Sequence, residues 1–149
     1  MKLNRATRYA LYAILELAKN PEKHISATEI ANQYNISVNH LVKVLHNLSR
    51  ARLIGSIRGA GGGHRFIGNP KRTTLYDIVS LFEDLGNGST YLPEPGTETE
   101  IGQSLETVFN EIDDIAESTL RSISLTTFLK TMHPTSSTSK MNPPLIEIT

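Results

Sequence analysis

The stretch Leu53-Ile-Gly-Ser-Ile-Arg-Gly-Ala-Gly-Gly-Gly-His-Arg-Phe-Ile67 decides the fold of this chain. It holds two short apolar segments joined by a glycine-dense turn, with Arg58 and Arg65 at its two shoulders. The pattern predicts a β-hairpin, because glycine adopts backbone angles that other residues avoid and lets a chain pass close to a bulky partner. Arginine beside such a turn suits phosphate or the narrow minor groove of DNA. A nucleotide-binding loop is disfavoured, since such loops lead into a helix and these glycines lead into a strand.

Two helical patterns precede this hairpin. The segment Ser26–Glu29 has the spacing of a capping box and is expected to open a short helix. After a tight turn, Ser37 is expected to cap a longer helix over Val38–Arg50. That helix has one apolar face, formed by Leu41, Val44, Leu45 and Leu48. A short helix, a turn and a longer helix with a polar outer face predict a helix-turn-helix, and the hairpin takes the position of its wing.

The rest of the chain is predicted to be helical apart from two segments. Apolar residues recur at helical spacing over residues 7–20 and 74–85, and again in a long amphipathic helix from about residue 98 to 121, followed by a short helix to about residue 132. We therefore expect a mostly α fold with a small β-hairpin wing. Its parts are a winged helix-turn-helix domain (1–85), a glycine- and proline-rich loop (86–100), a dimerisation helix with a terminal helix (101–132) and a mobile tail (133–149).

Charge is divided unevenly along the chain, although the formal total is zero. Residues 1–85 carry twelve Lys or Arg and six acids, a charge of +6, whereas residues 86–149 carry three and nine, a charge of −6. A basic amino-terminal part followed by an acidic carboxyl-terminal part is typical of a nucleic-acid-binding module joined to a separate element. The sequence shows no membrane-spanning run and no apolar leader, so we expect a cytoplasmic protein without a membrane partner.

Candidate DNA contacts follow from the polar face of the second helix and from the hairpin. The amino end of a recognition helix enters the major groove, where Asn pairs with adenine and Lys with guanine or phosphate. An ordinary solvated helix face is the alternative for these residues. The predicted DNA-binding residues are Ser37, Asn39, His40 and Lys43 in the helix, and Arg58, Gly59, Gly61, Gly62, Gly63, His64 and Arg65 in the wing.

The long amphipathic helix is predicted to join two copies of the chain. A helix of about 24 residues spans about 36 Å, which overhangs a winged domain with a radius of about 12 Å. Part of its apolar stripe is therefore expected to meet a second copy, and a two-fold dimer matches palindromic DNA half-sites. The predicted interface residues are Ile101, Leu105, Val108, Ile112, Ile115 and Leu120.

The chain resembles the bacterial Rrf2 regulators over about residues 1–130. The resemblance lies in Met1-Lys-Leu-Asn-Arg-Ala-Thr-Arg-Tyr-Ala-Leu11, in Glu29-Ile-Ala31, in the Arg-Gly-Ala-Gly-Gly-Gly block of the hairpin and in Ser124-Leu125. It implies a homodimeric winged-helix transcription factor, usually a repressor. It also implies that Arg58 enters the minor groove and that the recognition helix begins near Val38.

One departure from that family concerns the iron–sulfur cluster. Cluster-binding members carry three cysteines in the counterpart of residues 86–104, and some use an acidic ligand near position eight. This chain contains no cysteine and has Arg8 there. Because such clusters are held by several thiolates, we expect no cofactor and no iron–sulfur cluster. A small-molecule or protein effector acting at the 86–100 loop and the dimer interface is the expected substitute.

Catalytic and metal-binding patterns do not emerge from the sequence. No nucleophile, base and orienting group can be assembled from the spacing, so we expect no enzyme. The histidines at 40 and 46 fall on opposite sides of one helix, so we expect no metal site. The predicted function is a repressor that binds palindromic operator DNA as a homodimer. The alternative is a winged-helix interaction module whose wing docks on a partner protein.

Overall fold

The computed structural model describes residues 1–85 and 93–132. The predicted mostly α fold with a hairpin wing is confirmed, including the long helix near the carboxyl end. The first part of the predicted 86–100 loop and all of the predicted 133–149 tail lie outside the described residues. The elements are α1 (Arg5–Lys19), α2 (Ala27–Tyr34), α3 (Val38–Arg50), β1 (Ile54–Ile57), β2 (Gly63–Phe66), α4 (Leu75–Val79), α5 (Glu100–Ser122) and α6 (Leu125–Thr131).

Side-chain caps fix where the first three helices begin. Asn4 caps α1, where its side chain accepts a hydrogen bond from the Thr7 amide at 2.8 Å, so the helix begins two residues before the predicted start. The predicted capping box is present: the Ser26 amide donates to Glu29 at 2.8 Å and the Glu29 amide to Ser26 Oγ at 3.1 Å. Ser37 caps α3, whose bounds are those predicted. Each cap satisfies amides that a helix end leaves without a partner.

The core lies between α1, α2 and α3 and fixes the direction in which α3 faces. All four predicted apolar residues of α3 are buried, so the opposite face of the helix is held toward solvent. The wing and the last helix close the core with Ile54, Phe66 and Leu125. The buried core comprises Ala10, Ala13, Ile14, Leu17, Ile30, Ala31, Ile36, Leu41, Val44, Leu45, Leu48, Ile54, Phe66, Ile78 and Leu125.

The wing is a two-stranded antiparallel hairpin whose second strand also pairs with a third segment. Strands β1 and β2 pair with Ile54 opposite Phe66 and Ile57 opposite Gly63. The backbone of Ile25, just before α2, exchanges two hydrogen bonds with His64 at 2.9 and 2.8 Å. The wing is therefore tied to the helix-turn-helix by backbone bonds as well as by side-chain packing.

Helix α4 is shorter than the periodicity predicts. The predicted helix over 74–85 ends at Val79, and Leu81 and Phe82 form tighter turns by donating to the carbonyls three residues back. The reason is a contact distant in sequence, in which the Asn4 side chain donates to the Phe82 carbonyl at 2.8 Å. Glu83 then accepts from the Asn4 amide and from Thr7 Oγ1, each at 2.6 Å.

Helix α5 is attached to the winged domain at its carboxyl end. It has 23 residues, which corresponds to about 34 Å, and none of them is buried. The Leu75 amide donates to Ile123 at 2.9 Å, and the Arg121 guanidinium lies 3.5 Å from the centre of the Tyr76 ring. Across residues 1–85 and 93–132, no helix combines the length and apolar content that crossing a membrane requires.

Candidate nucleic-acid interface

The outer face of α3 carries most of the predicted contact residues. Ser37, Asn39 and Lys43 are exposed on it, together with the apolar side chains of Val38 and Val42. Ser37 has a structural role as well, because its hydroxyl accepts from the His40 amide at 3.5 Å as the helix cap. This face therefore exposes the Asn39 amide, the Ser37 hydroxyl and the Lys43 ammonium group at the amino end of a helix whose other face is buried in the core.

His40 lies apart from that open face. Its ring is half-buried and packs edge-on against Tyr9 of α1, with ring centres 5.0 Å apart at an angle of 70°. The residue therefore joins α1 to the beginning of α3. Its polar character gave no sign of this contact, because the partner lies 31 positions away in the sequence.

The wing turn divides the predicted glycines into two kinds. Gly59 and Gly61 are exposed and have φ of 102° and 73°, so the turn conformation requires glycine while the space around them is open. Gly62 and Gly63 have no room for a side chain, because a Cβ would meet the Ile57 carbonyl or the Ile25 backbone. Arg58 stands exposed beside the turn, one residue after the end of β1.

His64 and Arg65 are neighbours in β2, but their side chains have different surroundings. The Oγ of Ser56 lies 2.8 Å from Nδ1 of His64, and burial lowers the pKa of the His64 imidazole. Arg65 is exposed opposite Gly55. It is the third residue of β2, so it lies within the strand and not at the shoulder of the turn, where the sequence pattern places it.

A groove of about 380 Å³ separates α3 from the wing. One wall presents Val42, His46 and Ser49, and the other presents Ser56 and Arg58. His46, Ser49 and Ser56 are polar groups of this surface that the predicted contact set omits. The helical spacing of His46 and Ser49 from Val42 could have indicated them, had the side of α3 that faces the wing been known.

Among the described residues, the cations of this surface have no anionic partner. In the two described ranges the one ion pair is Arg121 with Glu117, at 2.8 Å. Lys43, Arg58 and Arg65 have no side-chain hydrogen bond or ion pair there. An exposed, unpaired set of cations around a polar helix face suits the phosphate backbone of DNA.

Helix α5 exposes the stripe predicted for the dimer interface. Ile101 and Ile115 are 75% and 61% exposed, which leaves large apolar surfaces in water. Phe109, which the predicted set omits, is also exposed, whereas Leu120 is half-buried against its own chain. A contiguous apolar stripe of this kind marks an interaction surface. The exposed members of the predicted set are Ile101, Leu105, Val108, Ile112 and Ile115.

A second cavity of about 320 Å³ lies where the two ends of the range 1–85 approach α5. Leu3, Glu83 and Leu85 form one side, and Ile112 and Ala116 of α5 form the other. Within residues 1–85 and 93–132, no three His, Asp or Glu side chains gather as metal ligands would.

Comparison with known proteins is consistent with this geometry. The family model named Rrf2, described as an iron-dependent transcriptional regulator, matches residues 3–131. The HTH-type transcriptional regulator BadM of Rhodopseudomonas palustris is 53% identical over 131 residues, which cover 87% of this chain and 82% of that protein. The HTH-type transcriptional regulator NsrR of Shouchella clausii is 38% identical over 85 residues, or 56% of this chain and 57% of that protein.

Solved structures match over most of the chain. CymR, the global cysteine regulator of B. subtilis, is 27% identical with a TM-score of 0.73, covering 88% of this chain and 98% of that one. IscR of T. potens is 26% identical with a TM-score of 0.71, covering 89% of this chain and 88% of that one.

Proposed function

The chain belongs to the Rrf2 family of transcriptional regulators, and on that premise we propose that it represses transcription by binding palindromic operator DNA as a homodimer. It is a DNA-binding regulator and not an enzyme. The observation that carries the proposal is the placement of the open polar face of α3 beside the wing turn. Lys43 and Arg58 are both exposed there, and neither is paired with another side chain in the part of the chain that the structure describes. Repression is the role that the family resemblance implies.

In the proposed complex, α3 occupies the major groove and the wing reaches the adjacent minor groove. Asn39 and Lys43 face base edges, and Arg58 enters the minor groove, where narrowing strengthens the negative potential. The sugar-phosphate strand that separates the major groove of the DNA from the minor groove then passes through the protein groove between α3 and the wing. His46, Ser49 and Ser56 line that path and can donate to phosphate oxygens.

The proposed dimer forms through the exposed stripe of α5. Two copies related by a two-fold axis present two recognition helices, which matches half-sites about one helical turn apart. The carboxyl end of α5 is attached to α4 through Arg121 and Tyr76, so an interface along α5 also fixes the distance between the winged domains. Operator spacing would then depend on how the two helices pack.

An iron–sulfur cluster does not fit the residues of this chain. The family model describes iron-dependent regulators, but the chain has no cysteine at any position. Arg8, at the place where some members carry an acidic ligand, brings a positive charge that opposes metal binding. We therefore propose a regulator that works without a cluster.

The proposed effector is a small molecule or a partner protein acting near the 86–100 loop. The cavity between Leu3, Glu83 and Ile112 supports this location, because its lining includes Leu85, the last residue before the loop, as well as residues of α5. Glu83 also accepts hydrogen bonds from Asn4, the cap of α1, and from Thr7 within α1. A ligand that moved Glu83 would therefore act on the helix that packs against α3.

Genome-wide mapping of binding sites tests the proposed function. We expect a palindromic motif upstream of regulated genes, whose expression rises when the regulator is deleted. A salt series on the purified protein then separates DNA binding from the alternative in which the wing docks on a protein. Affinity for DNA falls steeply with salt when phosphates are contacted. Absence of both an enriched motif and salt-dependent binding would contradict the proposal.

A further inference from the structure

We propose that Lys2, Arg5 and Arg8 form a second phosphate-binding surface, which holds the DNA backbone on the side of α3 opposite the wing. This inference rests on the proposed function, since it requires α3 to occupy the major groove. We call these three residues the N-terminal basic patch. They lie outside the predicted set of DNA contacts, which is confined to residues 37–65.

The patch is a concentration of exposed positive charge. All three side chains are exposed, and within residues 1–85 and 93–132 none has a hydrogen bond or ion pair. The first turn of α1 contains no acidic residue. Arg5 and Arg8 are three positions apart on one helix, a spacing at which like charges repel. Glu83, the carboxylate at this end of α1, accepts from Asn4 and Thr7 and from neither arginine, so both guanidinium groups are available to an external polyanion.

The patch lies against the helix-turn-helix and not on a remote surface. The side chains of Lys2, Arg5 and Arg8 line a groove of about 450 Å³ together with Asn35 and Ile36 of the turn before α3. Asn35 is exposed in that turn. A ligand in the groove would therefore touch the patch and the residues leading into α3 at the same time.

The contact between Tyr9 and His40 shows on which side of α3 the patch lies. Tyr9 follows Arg8 directly, and its ring packs on His40 with 5.0 Å between centres. On the other side, Ser49 of α3 faces the wing across the groove described above. His40 and Ser49 are nine positions apart, which is about two and a half helical turns and places them on opposite sides of α3. The patch and the wing therefore flank the recognition helix.

This arrangement matches the two rims of a major groove. The groove is about 12 Å wide, and a helix with its side chains is about 10–12 Å across, so a helix in the groove has a phosphate strand on either side. The wing and the protein groove beside it contact one phosphate strand of the DNA. The N-terminal basic patch meets the other, which has no cationic contact among the predicted residues apart from Lys43.

The salt dependence of nonspecific DNA binding tests this surface directly, because phosphate contacts are independent of sequence. The probe is an alternating dA-dT duplex, titrated with the full-length protein over a range of salt concentrations. The test variant is Arg5→Gln with Arg8→Gln. The matched control is Lys19→Gln with Lys130→Gln, which removes the same charge at exposed positions on α1 and α6.

We expect the test variant to reduce the slope of log affinity against log salt by about 2, since each phosphate contact contributes about 0.9. The control should keep the wild-type slope, and Arg5→Lys with Arg8→Lys should retain it as well. Equal slopes for the wild type and the glutamine variant would overturn the inference. So would loss of the dimer in light scattering with an unchanged slope, which would assign the patch to a second copy. Absence of salt-dependent binding by the wild type would instead contradict the proposed function.

Discussion

The Oγ of Ser56 and the Nδ1 of His64 lie 2.8 Å apart across the two strands of the wing. They occupy directly paired positions in the register, and the amide and the carbonyl of His64 each form a hydrogen bond with the backbone of Ile25. His64 therefore connects β1, β2 and the segment before α2. The wing that presents Arg58 is thus positioned by a residue that can take up a proton.

Acidification is expected to destabilise the fold through His64. Burial lowers the pKa of its imidazole, so the unfolded chain takes up the proton at a higher pH than the folded chain does. The free energy of unfolding should fall as pH decreases from the usual histidine pKa to the lowered value, and change little from this source above that window. Urea unfolding of the wild type and of His64→Gln between pH 7.5 and 5, a range of about two and a half units around the usual pKa, measures it.

The glutamine variant should lose part of this pH dependence, whereas His46→Gln, altered at an exposed site on α3, should retain it. A pH dependence unchanged by His64→Gln would show that His64 is not responsible.

Gly63→Ala is expected to weaken the attachment of the wing. A Cβ at Gly63 would lie 2.7 Å from the carbonyl carbon of Ile25, which is backbone and cannot turn aside. We expect a loss of about 1–3 kcal/mol in the free energy of unfolding, as for other overpacked sites. Gly55→Ala in β1 is the control, because its new Cβ would meet only side-chain atoms of Ile67, the nearest at 3.2 Å, and no backbone. Equal stability of the two variants would contradict the close approach of Ile25.

Ile112→Glu is expected to dissociate the dimer. Ile112 is 56% exposed in the single chain, and a carboxylate there would be buried without a partner at the proposed interface, at a cost of several kcal/mol. Light scattering at micromolar concentration measures the mass. Asn110→Glu adds the same charge two positions away, about 200° around the helix, and should stay dimeric. A dimeric Ile112→Glu protein would show that α5 is not the interface.

Reconstitution with ferrous iron and sulfide under anaerobic conditions should give no stable chromophore. The chain offers no thiolate to hold a cluster, and a cluster needs several. Visible absorption after desalting is the measurement, with iron and sulfide content determined on the same sample. A stoichiometric charge-transfer band that survives desalting would contradict the cluster-free proposal.

The local signals in the sequence were sufficient for most of the winged domain. Ser26 with Glu29 and Ser37 before Val38 predict helix starts because a cap depends on residues three positions apart. The glycines of the hairpin predict its turn because their backbone angles are a local property. The buried face of α3 follows from helical spacing alone.

Contacts between distant segments could not be predicted in the same way. The end of α4 at Val79 depends on Asn4, which bonds to the Phe82 carbonyl 78 positions away. The half-buried position of His40 depends on Tyr9. Helical periodicity in a single sequence contains no signal for either pairing. Only the structure distinguishes the half-buried His40 from the exposed polar residues beside it on α3.

Titration of Arg58→Ala and Arg65→Ala against one mapped operator at fixed salt tests the central claim most directly. Arg58 stands exposed beside the wing turn, whereas Arg65 lies within β2. We expect Arg58→Ala to lose about 1–3 kcal/mol of binding free energy, the size of one good groove contact, and more than Arg65→Ala loses. The loss should be largest on operators with A·T-rich sequence under the wing. Equal operator affinities of the wild type and a folded Arg58→Ala protein would contradict the claim that the wing reads DNA.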